Sequence, residues 1–131
     1  MSGFLLDSDV IIWHLRGRRE TTEMLRELAK ADVPGCSALS VLEVQVGVRR
    51  GEEENTDRFL GSLKIFDVTV SVANKAARLI RQQRGKGVRL GLPDAVIAGT
   101  CLIHDMILVT YNVKHYPIPG LTCHPVSLPK P

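Results

Sequence analysis

Short apolar runs of strand length alternate along the chain with longer stretches whose apolar residues recur every three or four positions. "GFLL" reads as a strand, and "DVIIWHL" opens a helix directly after it. "TTEMLRELAKA" places Met24, Leu25 and Leu28 on one side of a helix that Thr21 or Thr22 can cap. "VPGCSA" reads as a short strand or turn. "SVLEVQVGVRR" follows as a helix despite its valines, because Ser40 and Glu43 spell the S-x-x-E capping box. The acidic "GEEENTDRFLGSL" predicts another helix, leading into the strand "KIFDV".

The clearest amphipathic helix is "SVANKAARLIRQQRGKG", with Val72, Ala76, Leu79 and Ile80 opposite its arginines and a glycine pair at its end. "RLGLPDAVIAGTCLIHD" predicts a loop and then an apolar helix with Pro93 at its entry. "MILVT" reads as a buried strand and "GLTCHPV" as a last edge strand limited by Pro125, while residues 126–131 form a frayed tail. Strands alternating with helices predict a central, mostly parallel sheet covered on both faces, a three-layer α/β/α arrangement in one domain spanning residues 1–131. In such sheets ligands gather beyond the carboxyl ends of the strands. Asp7 follows the first strand, Thr110 and Asn112 follow "MILV", and Glu43 and Asp94 lie near the starts of helices, so all of them are drawn towards one rim.

Composition narrows the function classes. At 131 residues, 44% apolar and 24% charged, the chain has the balance of a globular domain that needs no disulfide or structural metal to fold. Cys36, Cys101 and Cys123 stand far apart without a CxxC pair, which fits a reducing, cytoplasmic setting. His14, His104, His115 and His124 lack zinc-ligand spacing, and neither a membrane-spanning run nor a signal peptide is apparent. The net charge of +3 says less than its distribution. Arg78, Arg81 and Arg84 share one side of a helix, and Lys86 and Arg89 extend the stripe. Arg16, Arg18 and Arg19 form a second cluster, and Arg49 with Arg50 a third. Each is either a solvated face or a track for a phosphate backbone.

Two explanations compete for the acids. Singly, each can be structural: Asp7 or Asp9 can cap a helix, Glu43 can complete a capping box, and Asp94 can serve as a first-turn acid. Jointly, carboxylates that meet at one rim repel one another, and a hard divalent ion relieves that repulsion. Mg2+ or Mn2+ takes oxygen ligands, pairs with substrate phosphate oxygens, and supports phosphodiester hydrolysis by a metal-activated water.

The segments "LLDSDVIIW", "SALSVLEVQVGV", "GLPDAVIAGTCL" and "ILVTYNVKHY", taken in order, resemble a PIN-domain ribonuclease of the VapC type, the toxin of a toxin–antitoxin pair. The resemblance covers almost the whole chain. It implies a PIN-like fold and a Mg2+- or Mn2+-dependent endoribonuclease in which the first acid, the glutamate after S-x-x, and the acid heading the D-x-x-I-A helix bind metal and act in catalysis. These positions are Asp7, Glu43 and Asp94. Ser8 and Asp9 match supporting positions, and Thr110 supports the same site. The family's fourth acid follows the "LVT" strand, where this chain has Asn112, with His115 where a second acid is frequent; Asn112 is still a catalytic candidate, as a neutral group able to bind a metal water or a phosphate together with Thr110. The resemblance further implies an RNA substrate, a homodimer and a cognate antitoxin that blocks the acidic site, with Arg78, Arg81, Arg84, Lys86 and Arg89 as the RNA-binding stripe.

Two other readings stand beside it. "LLDSDVI" also fits the D-x-D start of haloacid-dehalogenase-like phosphatases, but no paired acids follow Lys114 as that chemistry requires. A PIN-like scaffold that binds RNA or protein without cleaving is the second, and the missing fourth acid is its support.

Overall fold

The strands of this chain are short, and three of the four are largely buried, while Lys64–Phe66 at one edge of the sheet is mostly exposed. The computed structural model describes residues 3–125. Its four strands are β1 (Phe4–Leu6), β2 (Gly35–Ser37), β3 (Lys64–Phe66) and β4 (Ile107–Val109), and every pairing is parallel. Their spatial order is β3-β2-β1-β4. Six helices connect them: α1 (Ser8–Leu15), α2 (Arg19–Ala31), α3 (Ala38–Val46), α4 (Glu53–Gly61), α5 (Val70–Gly85) and α6 (Leu92–His104). A 3-10 turn at Val113–His115 follows β4. The chain thus has the expected three-layer α/β/α architecture.

The pleat divides the core in two, because successive residues of a strand face opposite sides. Leu5 and Leu108 pack with Ala76, Leu79, Ala95, Ile97 and Ala98 of α5 and α6. Leu6 and Val109 pack on the other side with Val10, Ile11, Leu25, Leu28, Val44 and Leu60 of the first four helices. The α5 periodicity is realised: Val72, Ala76 and Leu79 are buried, Ile80 is partly buried, and Arg78, Arg81, Arg84, Lys86 and Arg89 lie outside the core. Cys36, Cys101 and Cys123 are all unpaired. Among the described residues no helix is long and apolar enough to cross a membrane.

Three local expectations are corrected. Neither Thr21 nor Thr22 caps α2, which starts earlier, at Arg19, with Arg18 at the N-cap and no side-chain cap. The two hydroxyls instead bond Tyr111 and His14 at 2.8 Å each, so tertiary contacts use the groups that the local pattern assigned to capping. The Ser40–Glu43 capping box does not form, because α3 begins with Ser37 as its N-cap, bonding the Leu39 amide at 3.0 Å. Ser40 lies inside the helix, fully buried, and its hydroxyl has no hydrogen-bond partner among the described residues. The last segment contributes a single bridge, Leu108 to Cys123, in place of an edge strand. The expected frayed tail at residues 126–131 lies outside the described residues.

Two close approaches set the layer spacing. A Cβ at Gly99 of α6 would stand 3.3 Å from the Val72 carbonyl oxygen of α5, so a glycine lets the two helices cross tightly. A Cβ at Gly35 would lie 2.8 Å from the Lys64 carbonyl oxygen and 2.6 Å from the Phe66 ring, closer than atoms can pack. Gly35→Ala should therefore force β2 and β3 apart and cost about 1–3 kcal/mol, the usual range for overpacking. Urea unfolding of the two proteins measures it, and an unchanged midpoint would mean that the edge strand retreats without cost.

Candidate active site

Asp7 continues β1 in extended conformation and caps α1, so one residue ends the strand and starts the helix. The β1–β4 register, Leu5 on Leu108 and Leu6 on Val109, carries forward to set Asp7 beside Thr110, and the Asp7 amide bonds the Val109 carbonyl at 2.9 Å. The chain runs outward from β1 through β2 to β3, then returns to add β4 on the opposite side of β1. Asp7 and Thr110 consequently flank the topological switch point, the crevice where sheets of this type bind ligands.

The pleat decides what Asp7 meets. It has the parity of Leu5, facing the α5/α6 layer, and the residue is only 7% exposed. Oδ1 accepts from the Ser8 amide at 2.8 Å. Oδ2 accepts from the Thr110 hydroxyl and the Tyr116 phenol, each at 2.8 Å. Asp94 lies in the first turn of α6, near enough for the charge of Asp7 to act on it. Its carboxyl is held above the usual carboxylate range, first by burial and then by the charge of Asp7. His115 Nδ1 is 3.9 Å from Asp94 Oδ2.

The other acids occupy flanking places. Asp9 accepts from the amides of Val10 and Tyr111 at 2.7 and 3.0 Å, and from the Asn112 side-chain amide at 2.8 Å. Burial, then the charge of Asp7, pushes Asp9 up to about 6 in spite of those donors. Asn112 also donates its backbone N–H to Thr110 Oγ1 at 3.0 Å, which ties the turn after β4 to the rim. Glu43 accepts the Ser8 hydroxyl at 2.6 Å, and so reaches the site through the residue next to Asp7.

The structure therefore gathers Asp7, Ser8, Asp9, Glu43, Asp94, Thr110 and Asn112 along one rim. It links Glu43 to Asp7 through Ser8, and ties Asp7 to Thr110 and Tyr116. Among the described residues no group of three or more His, Cys, Asp and Glu side chains is gathered closely enough to hold a metal ion. What stands together is a pair of carboxylates, Asp7 and Asp94, with the charge of the first felt by the second. An all-oxygen pair of this kind suits Mg2+, which keeps several of its waters and needs only one or two protein carboxylates. The donor set fits a hard divalent ion in number and type.

Tyr116 is the site residue that sequence reasoning passed over. An aromatic shortly after a strand-end turn, followed by "PIP", reads as core, and its ring does belong to the α5/α6-side core. A polar tip on a buried ring is the only local signal, since a buried phenol needs a partner. The arginines have a definite setting as well. Arg84 and Arg89 line a groove of about 500 Å³ with Ile80, Val88 and Leu92, and that groove ends at the entry of α6, close to Asp94 in the chain.

Comparison with known proteins agrees with this geometry. The model of the PIN domain family matches residues 4–120. Ribonuclease VapC10 of Mycobacterium tuberculosis is 35% identical over 114 residues, which is 87% of this chain and 86% of that protein. Among solved structures, VapBC2 of Rickettsia felis bound to a promoter DNA fragment superposes with a TM-score of 0.82 at 26% identity, covering 92% of this chain and 96% of the other. A toxin–antitoxin complex of Klebsiella pneumoniae gives 0.79 at 28% identity, covering 96% and 100%. With a family match over nearly its whole described length and its acids at the switch point of a parallel sheet, this chain belongs to the PIN-domain family.

Proposed function

We propose that the chain is a divalent-metal-dependent endoribonuclease, the toxin member of a toxin–antitoxin pair, acting in the cytoplasm as a homodimer and held inactive by a cognate antitoxin. The observation that carries this reading is the buried Asp7 at the sheet's switch point, with Asp94 near enough to feel its charge. Its support from relatives is the 35% identity to a protein named as a ribonuclease and the likeness to toxin–antitoxin complexes.

In this reading Asp7 and Asp94 hold Mg2+ or Mn2+, and Glu43 ligates it or orients the attacking water. The ion, when bound, supplies charge for the scissile phosphate and acidity for that water. The chain's own residues do the remaining work. Ser8 fixes the Glu43 carboxylate, Thr110 fixes Asp7, and Asp9 with Asn112 clamps the turn after β4 against the end of β1. The arginine stripe tracks the RNA backbone, with the Arg84–Arg89 groove seating a segment of single-stranded or loop RNA beside the acids.

A scaffold that binds without cutting keeps one observation in its favour, the neutral Asn112 and the histidine at 115 on a rim where the resemblance leads one to expect acid. The phosphatase reading loses its ground, because the PIN model accounts for residues 4–120 and Asp9 is engaged by the turn after β4.

Asp94→Asn is the cleanest test. Its carboxyl is destabilised by Asp7, so the amide should leave the metal-free protein as stable as before or slightly more so, while cleavage of single-stranded RNA in Mg2+ or Mn2+ falls at least about 100-fold. Cleavage assays with a thermal melt on the same preparations check both parts. Intact cleavage would remove Asp94 from the site, and absence of cleavage by the unaltered chain in either metal would favour the scaffold. Asp7→Asn is less clean, since an amide nitrogen would face at least one of the three donors that Asp7 accepts.

For the stripe, the paired change Arg81→Ala and Arg84→Ala should weaken binding to single-stranded RNA. It should also flatten the slope of log affinity against log salt by about 0.7 for each phosphate that these side chains neutralise. Fluorescence anisotropy titrations from low to moderate salt measure the slope. An unchanged slope would return these arginines to a solvated face.

A further inference from the structure

The groove between the end of α5 and the start of α6 has a wall fixed by its own backbone. α5 closes with its C-cap at Lys86, and Gly87 follows at a φ of +74°, a left-handed conformation that glycine adopts without strain. The Gly87 amide returns to the Arg84 carbonyl at 3.0 Å and the Val88 amide to the Gln83 carbonyl at 2.8 Å, the paired bonds of a Schellman end. Leu90, only 5% exposed, then anchors the loop in the core before α6 begins at Leu92. The groove left beside this loop has a volume of about 500 Å³, within the ~300–1,000 Å³ of pockets that hold small organic groups.

Its lining is of two kinds. Ile80, Val88 and Leu92 are apolar, and Leu92 is 72% exposed, so burial in the core does not account for it. Arg84 and Arg89 line the same groove, and neither forms an ion pair among the described residues. A single exposed leucine needs no explanation. Apolar side chains in a hollow shared with two unpaired guanidinium groups do, since a track for phosphates alone requires only the cations. An occupant that matches both carries negative charge and an apolar face side by side. An unpaired nucleotide is such a group: its phosphate meets a guanidinium while its base, no longer stacked in a helix, lies on the protein surface. In a duplex the base faces are covered by neighbouring pairs, and the apolar part of the groove would go unused.

We infer that this groove holds one unpaired nucleotide of the RNA, its base against Ile80, Val88 and Leu92 and its phosphate on Arg84 and Arg89. This deepens the RNA reading above and rests on it, but it requires no cleavage and is measured with divalent ions removed.

The test is fluorescence anisotropy in EDTA with a short labelled oligouridylate and with an abasic oligonucleotide of equal length, which keeps every phosphate and lacks the bases. The unaltered chain should bind the abasic strand at least about 5-fold more weakly. Leu92→Asn should lose about as much on oligouridylate and little on the abasic strand. It should leave the slope of log affinity against log salt unchanged, because an apolar contact releases no counterions. Melting temperatures of the two proteins should agree, since Leu92 lies largely outside the core. Equal binding of intact and abasic strands by the unaltered chain would overturn the inference and leave the arginine track standing, and that arm needs no variant. A loss in Leu92→Asn that is equal on both strands, or that extends to an RNA duplex of the same length, would overturn it too. If Leu92→Asn leaves both strands unaffected and turns a dimer into a monomer in light scattering, the groove belongs to a second copy of the chain and the inference fails. An unaltered chain that binds neither strand would remove the RNA reading along with it.

Discussion

The carboxylate of Asp7 sits at the end of a central strand with three hydrogen-bond donors around it and almost no solvent, and the arrangement of the rim follows from keeping it there. Bonds to a charged group contribute about 1.5–3 kcal/mol each, while a buried charge left without them costs several. Each donor comes from a different part of the fold: the first turn of α1, the residue after β4, and the buried aromatic beyond the 3-10 turn. The strand pairing that brings Thr110 alongside Asp7 is therefore as much a property of the site as of the sheet.

From that one buried charge the electrostatics of the neighbours follow. Asp9 and Asp94 are both raised by burial first and by Asp7 second. Asp9 is answered by amides and by Asn112, so its charge is absorbed in holding the turn. Asp94 has fewer donors and keeps a side chain 31% exposed. It is thus the acid left facing outward, at the start of a helix next to the groove with Arg84 and Arg89. The groove with Arg84 and Arg89 reaches Leu92, the first residue of the helix that carries Asp94.

The layers and element order were legible in the sequence because burial on two faces imposes a pattern that residues carry locally. The amphipathic spacing of α5 and the apolar run of β4 are examples, and so is the gathering of Asp7, Asp94, Glu43 and Thr110 at one rim. Legibility ended where a polar group has more than one way to be satisfied. Thr21, Thr22 and Ser40 each looked like helix signals, yet the threonines bond Tyr111 and His14, and Ser40 lies inside α3 because Ser37 had already taken the cap. Tyr116 and Asp7 are 109 residues apart, and no local spacing could announce that one donates to the other. The Ser8–Glu43 bond, 35 residues apart, was hidden for the same reason.

Neutral residues after β4 change the balance of the site. An acid at either position would add a further negative charge close to Asp7 and Asp94, raising the repulsion that the metal-free chain must tolerate. Asn112 instead donates to Asp9 and anchors Thr110, and His115 sits near Asp94 where, if protonated, it lowers that repulsion. The rim is accordingly less dependent on an ion for its shape than a site with four free carboxylates, and it offers a cation fewer charges. On the reading proposed above, two carboxylates would define the ion's position, and one of them, Asp7, is held in place by three hydrogen bonds. A site with fewer ligands can still be selective for a small, hard ion when those ligands cannot move, because Mg2+ demands near-ideal octahedral placement and supplies its other ligands from water.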